Sequence, residues 1–362
     1  MSALKARIAG LIATAGPISV AEYMALCLSD PEHGYYMTRD PFGSDGDFTT
    51  APEISQMFGE LIGAWIAETW RLLGQPAGAM VVEIGPGRGT LMRDMARTLA
   101  KIAPGLHHDG AYALVETSPK LRAAQASALE SSAVRFEWHA EIGRLPRRPM
   151  LIVGNELFDA LPVRQYVKTG QGWRERVVDI DAMGGLRFAA GAGSADPALM
   201  PPSALEAQPG SIVELAPARS ALMQRIAERI ARDGGAGLFI DYGYRAAAVG
   251  DTLQAVLKHT HDDPLAHPGE ADLTAHVDFG ALAMAARAEG LQARIANQGR
   301  FLLSLGLLER AGALGARATT EVRERLSGEV ERLAGPNAMG ELFKVLAVAP
   351  QGIQLPGFPA SD

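Results

Sequence analysis

Residues 81–90 read VVEIGPGRGT: two β-branched apolar residues run into Glu83, and glycines then alternate at Gly85, Gly87 and Gly89. From Thr90 onward the apolar residues Leu91, Met95, Leu99 and Ile102 fall three or four apart, the spacing of one helix face. A buried strand, a tight glycine turn and a helix N-terminus are predicted in succession. Such a turn lets a ligand lie against bare backbone beside the positive end of a helix.

The glycine spacing selects the ligand. Dinucleotide sites use G-x-G-x-x-G, but here the third glycine comes one residue early, at Gly89, and Thr90 stands where that fingerprint needs glycine. A nicotinamide enzyme is disfavoured on that ground. S-adenosylmethionine carries no phosphate; it presents a sulfonium, an ammonium and a carboxylate. Glu83 suits the cationic amino-acid end, directly or through water, and the helix start suits the carboxylate. The string E-x-G-x-G-x-G, with Pro86 and Thr90 inside and beside it, has the form of the first motif of a Rossmann-like methyltransferase. A second acid agrees: Ala111–Glu116 (AYALVE) reads as the next strand, ending 33 residues after Glu83 and followed by Thr117. In a strand–helix–strand unit such an acid reaches ribose hydroxyls.

Composition sets outer bounds. With 362 residues, 48% hydrophobic and 21% charged, the chain can bury a large core. Its single cysteine, Cys27, rules out an internal disulfide framework or a cysteine-built zinc site and reads as a buried structural thiol. A net charge of −7 speaks against a nucleic-acid coat. No apolar run approaches the ~18 residues of a membrane span. Leu4, Ile8, Leu11 and Ile12 form a helical stripe rather than a signal peptide. The expected location is the cytoplasm, or the mitochondrial matrix for eukaryotic relatives.

The pattern along the chain predicts an α/β fold: a Rossmann-like, doubly wound parallel sheet with an N-terminal helical segment and two insertions. Residues 1–75 read as helices, with capping boxes Ser19/Glu22 and Thr50/Glu53 and a turn-rich, cleft-covering loop over 30–51. The helix at 53–73 carries a broad apolar face that could pack internally or across a homodimer. Strands are predicted at 79–84, 111–116, 133–138, 149–154 and 236–241, alternating with helices, and at 291–296 and 343–349 to close the sheet. Residues 163–215 read as a β-rich insertion around a loop at 183–210, and 245–290 as a mostly helical insertion. The fourth strand delivers Asn155, Glu156 and, a turn later, Asp159; the fifth delivers Asp241 and Tyr242. Parallel strand ends line the crevice where α/β folds bind ligands.

Six blocks in order carry a resemblance: GDFTTAPEISQMFGE (46–60), EIGPGRGTLM (83–92), VETSPKL (115–121), NELFDALP (155–162), ADLTAHVDF (271–279) and MGELFKVL (339–346). They resemble the MidA-like methyltransferases, the bacterial and mitochondrial relatives of a complex I assembly factor, almost end to end. The resemblance implies a class I S-adenosylmethionine-dependent fold and, in the mitochondrial members, symmetric dimethylation of an arginine on a quinone-module subunit of NADH:ubiquinone oxidoreductase. It implies a cofactor site at Glu83, Gly85, Gly87, Gly89 and Glu116. It also implies a covering block in which Asp47, Phe48, Thr49, Thr50 and Glu53 meet cofactor or substrate. The mitochondrial branch often has histidine at the position of Asn155, so Glu156 and Asp159 are the favoured catalytic pair.

An arginine acceptor begins as a guanidinium with a pKa above about 12 and is a poor nucleophile. Carboxylates can hold its planar fork and help remove a proton. Glu156 and Asp159, with Asn155 between strand and acid and Asp241 and Tyr242 nearby, have the right chemistry. His276 lies within a matching block and is a candidate substrate contact. His259, His261 and His267 lack H-E-x-x-H spacing and a partner cysteine, and read as solvated or capping side chains rather than metal ligands. Two alternatives stay open: a methyltransferase for a small molecule or another side chain, and a non-catalytic assembly factor that only binds the cofactor.

Overall fold

A computed structural model describes residues 2–38 and 49–359. The chain forms two compact units, each assembled from separated stretches: one from 1–48, 158–221 and 246–278, the other from 49–157, 222–245 and 279–362.

The second unit holds the sheet. Its strands are β1 (Met80–Ile84), β2 (Ala111–Val115), β3 (Phe136–His139), β4 (Met150–Asn155), β5 (Gly235–Tyr244), β6 (Gln292–Asn297) and β7 (Phe343–Ala349). They lie in the order β3-β2-β1-β4-β5-β7-β6. Strands β3 through β5 are parallel, and β7 runs antiparallel between β5 and β6. This is the doubly wound 3-2-1-4-5-6 order with one antiparallel strand slipped in before the last. Strands β1 and β4 are buried along their whole length, as a sheet covered on both faces demands.

Four helices position the site. They are α1 (Ala51–Ile54), α2 (Gln56–Leu72), α3 (Thr90–Ile102) and α4 (Pro119–Leu129). The predicted single helix from 53 is broken at Ser55, whose extended backbone ends α1 and whose hydroxyl accepts from the Met57 N–H to start α2. Met57, Phe58, Leu61, Ile62, Trp65 and Ile66 of α2 are buried in one core with Leu91, Met95 and Leu99 of α3. The apolar face of α2 thus packs inside the chain. A Cβ at Gly59 would come within 2.6 Å of the Asp94 Cβ, so that glycine sets how closely α2 and α3 approach.

The first unit has its own core, built from Leu4, Ile8, Tyr23, Met24, Cys27, Val163, Val178 and Leu273 among others. Helices Ala3–Ala15 and Val20–Ser29 pack there, the second with the complete Ser19/Glu22 capping box. Burial pushes the Cys27 thiol up to about 12, consistent with an inert structural role.

Here the structure corrects three expectations. Residues 1–75 are not one segment, because 1–48 and 49–75 belong to different units. The expected loop at 183–210 contains a nine-residue strand, Leu186–Ser194, paired antiparallel with Gly172–Ile180. Its Ala/Gly-rich sequence shows no apolar alternation, and the strand is specified by its partner. The expected helical insertion at 245–290 is instead mostly extended, with a sheet of three short strands, Gln254–Leu257, Thr260–Asp262 and Asp272–Thr274, and the two-residue strand Val277–Asp278, the helix Phe279–Ala288 belonging to the other unit. Leu257 pairs with Thr260 across Lys258 and His259, both with positive φ. That is a two-residue hairpin turn without the Asn-Gly or Asp-Gly that usually announces it.

Candidate active site

The turn after β1 adopts the geometry its glycines allow. Gly85, Gly87 and Gly89 have φ of 67°, 52° and 83°, the left-handed region that L side chains rarely occupy. The Gly85 N–H donates to the Val115 carbonyl, and the Gly89 N–H to that of Pro86. Gly89 is also the N-cap of α3, and it has no side chain with which to cap the helix.

Glu83 fills that role from the neighbouring strand. It is 2% exposed, and its carboxylate accepts the Met92 N–H in the first turn of α3. Burial holds its pKa well above the ordinary carboxylate value, against the pull of that N–H. The other carboxylate oxygen, Oε2, is buried with no hydrogen-bond partner among the described residues. A buried orphan acceptor beside a left-handed glycine turn is the kind of group a cationic ligand satisfies.

One strand over, Glu116 follows β2 and is also buried. Its own N–H donates to the His139 carbonyl. Its Oε1 accepts from the Ser118 N–H at 2.8 Å and its Oε2 from Gln125 Nε2 at 3.2 Å. The Thr117 N–H adds a further contact. Burial raises its pKa, and these donors act in the opposite direction.

On the other side of β1, strand β4 ends at Asn155 and Glu156. Glu156 has φ of +49° although it is not glycine, a backbone state that costs about 1–2 kcal/mol and collects at functional sites. Its N–H donates to the Ile240 carbonyl of β5 at 2.8 Å. Its Oε1 accepts from Asn155 Nδ2 at 3.1 Å and from the Ala51 N–H at the start of α1 at 3.3 Å. Asn155 itself is buried, with Oδ1 unpartnered among the described residues. Asp241, beside this pair at the end of β5, is fully buried and accepts the Tyr242 N–H at 3.0 Å. The Tyr242 ring meets Phe343 edge-on.

Thr90 Oγ1 donates to Glu53 Oε1 at 2.6 Å, joining α3 to α1. The expected Thr50/Glu53 capping box does not form: Thr50 makes no side-chain cap, and the Glu53 carboxylate accepts from Thr90 instead. Thr49 and Thr50 fall in this unit. Asp47 and Phe48 lie outside the described residues, as does all of 39–48 in the loop expected to cover the cleft; within its described part Tyr35–Thr38 form a short helix.

Asp159 and His276 belong to the other unit. There the buried Arg219 guanidinium gathers the carbonyls of Asp159 (2.9 Å), Leu161 (3.1 Å), Ala275 (3.1 Å) and His276 (2.6 Å). Sequence reasoning missed this arginine, one of two in the helix Pro217–Asp233, with Arg229, whose guanidinium is buried against backbone carbonyls. His267 pairs with Asp262 at 2.7 Å. Among the described residues no group of three or more His, Cys, Asp or Glu is arranged to hold a metal.

The chain matches over residues 61–297 a family of S-adenosyl-L-methionine-dependent methyltransferases. It belongs to that family. The chain is 36% identical to the protein arginine methyltransferase NDUFAF7 of Danio rerio, a mitochondrial protein, over 96% of this chain and 86% of that one. It is likewise 36% identical to the human protein of the same name, over 94% and 81%. A solved Burkholderia thailandensis protein bound to S-adenosyl-homocysteine superposes with a TM-score of 0.88 at 33% identity, covering 99% of this chain and 95% of that one. A second, native structure from that organism gives 0.83 at 32% identity over 99% and 95%. The fold is therefore the Rossmann-like methyltransferase fold, the enzyme class is S-adenosylmethionine-dependent methyltransferase, and the MidA-like resemblance is confirmed.

The residues of the glycine turn fit that cofactor: left-handed glycine backbone at Gly85 and Gly87, an orphan buried carboxylate oxygen on Glu83, and a buried carboxylate at Glu116 held in place by protein donors.

Proposed function

We propose that this methyltransferase acts on protein arginine, with symmetric dimethylation of a quinone-module subunit of NADH:ubiquinone oxidoreductase as its role. The observation that carries the arginine reading is the Glu156 carboxylate. It is half-exposed at the end of β4, in the same row of strand ends as Glu83 and Glu116, on strained backbone and oriented by Asn155 and the Ala51 N–H. The NDUFAF7 relatives are named protein arginine methyltransferases, which supports a protein acceptor. The complex I subunit is carried by the resemblance of the six sequence blocks. A cytoplasmic location belongs to the same proposal; no described helix is long and apolar enough to cross a membrane.

The bound cofactor supplies an electrophilic methyl group on a sulfonium. The chain's own residues do the rest. Glu83 and the glycine turn hold the amino-acid end, and Glu116 holds the ribose. Glu156 accepts hydrogen bonds from a guanidinium, localises its charge on one nitrogen and takes the proton that nitrogen must lose. Asn155 Nδ2 fixes the carboxylate in place for this. Positioning supplies much of the rate, because no covalent enzyme intermediate is required.

Purified enzyme incubated with S-adenosylmethionine and complex I subunits, followed by mass spectrometry of acceptor peptides, tests the reading. Dimethylarginine that disappears with Glu156→Gln supports it. Methyl groups on lysine, on a carboxylate or only on small molecules would overturn it.

A further inference from the structure

Helix α4 has the sequence PKLRAAQASAL, and its one buried polar side chain is Gln125, which is fully shielded from solvent. All of its side-chain bonds go to the cofactor region or to β3. Nε2 donates to the Gly87 carbonyl at 2.8 Å and to Glu116 Oε2 at 3.2 Å. Oε1 accepts from Trp138 Nε1 at 2.9 Å. An indole N–H can only donate, so Trp138 fixes which end of the amide faces which neighbour. With the oxygen committed to Trp138, the two N–H groups must point at the glycine turn and the acid.

The glycine turn after β1 and the acid after β2 thus share one donor group. Besides this amide, the pairing of β1 with β2 and the Gly85-to-Val115 bond connect them. A carboxylate offers about four acceptor sites. At Glu116 the Ser118 and Thr117 N–H groups and Gln125 occupy three of these, leaving capacity for a hydroxyl.

We infer that Gln125, oriented by Trp138, is a positioning residue of the cofactor site that locks the Glu116 carboxylate in register with the Gly87 turn to receive a ribose hydroxyl. The inference rests on the S-adenosylmethionine reading of this site. It adds a selectivity that the motif residues alone do not provide: the pocket distinguishes a ribose from a deoxyribose only while the amide is in place.

The test compares binding of S-adenosylhomocysteine with its 2′-deoxy and 3′-deoxy forms, by calorimetry, in the intact chain and in Gln125→Met and Trp138→Phe. A hydrogen bond to a charged acceptor is worth about tenfold or more in affinity. The unaltered chain should favour the ribose ligand over at least one deoxy form by that factor. Both variants should lose about tenfold toward the ribose ligand and little toward that deoxy form, so that the preference collapses. A variant that weakens all three ligands equally has only loosened the fold, and that result would overturn the positioning role, as would an unchanged preference. If Gln125→Met does not fold, Trp138→Phe, which keeps an aromatic side chain while removing the indole N–H that orients Gln125, decides the matter alone. Failure of the unaltered chain to bind S-adenosylhomocysteine overturns the cofactor reading itself, a result distinct from loss of the preference in the variants.

Discussion

Two acidic strand ends in the same sheet are built in opposite ways. At β1, Glu83 is sealed in: it caps α3 through the Met92 N–H, burial raises its pKa, and all the unusual backbone around it is carried by glycine. At β4, Glu156 is half-exposed, its carboxylate is held by Asn155 and Ala51, and the left-handed backbone falls on the acid itself. Both are glutamates at the carboxyl ends of buried parallel strands. The first arrangement suits a fixed ligand contact and the second a group that must meet a substrate. Residue type and strand position are therefore insufficient to assign a role; surroundings decide it.

The largest effect that would sharpen this contrast is on turnover. Glu156→Gln should lower kcat by about 100-fold or more, the usual range for a proton-transferring group, while cofactor affinity stays within about threefold. Comparable loss of cofactor affinity would place Glu156 in the binding half and break the comparison. Asn155→Ala should cost less, about tenfold in kcat, by freeing the Glu156 carboxylate from one hydrogen bond. A wild-type rate in that variant would remove Asn155 from the site.

Gly85→Ala should act in the reverse sense. Placing a side chain at φ of 67° costs about 1–2 kcal/mol, and the new Cβ would lie 3.1 Å from Leu157 Cδ1. Cofactor affinity and melting temperature should both fall, with kcat at saturation nearly kept. A loss confined to kcat would contradict a binding role for the turn.

The smallest effect concerns pH. The Glu83 carboxyl keeps its proton in the folded chain above the ordinary value of 4.5, so the stability this contributes is present below that value. It is lost as pH rises through the raised folded pKa. Glu83→Gln has no proton to lose. Relative to it, the unaltered chain should lose melting temperature as pH is raised from 4.5 toward neutrality. Parallel melting curves across that range would show that Glu83 is ionised in the fold and overturn its description as a sealed acid.

Much of the parallel sheet was readable because buried β-branched runs and glycine turns are local signals. The strands at 80–84, 111–115 and 150–155 fall within a residue or two of expectation. The antiparallel unit was less readable. The strand Leu186–Ser194 has weak propensity and exists through its pairing, and the turn at Lys258–His259 lacks the residues that usually signal one. Of the candidate site, the acids and glycines could be picked out one at a time, whereas Gln125, Trp138 and Arg219 could not. Their signal is burial of a polar group, which a helical sequence does not display.

The glycine turn, the two acids that end neighbouring strands and the methyltransferase family are all legible in the chain, because each rests on short runs of residues whose local geometry leaves few options. Packing set the rest: Glu53 bonds Thr90 rather than capping its own helix, Glu156 bears the strained backbone, and Asp159 and His276 fall in a different unit from Asn155. Those outcomes depend on which groups are buried together. Burial is a property of the packed chain, where an unsatisfied polar atom is costly enough to redirect a side chain from a local partner to a distant one.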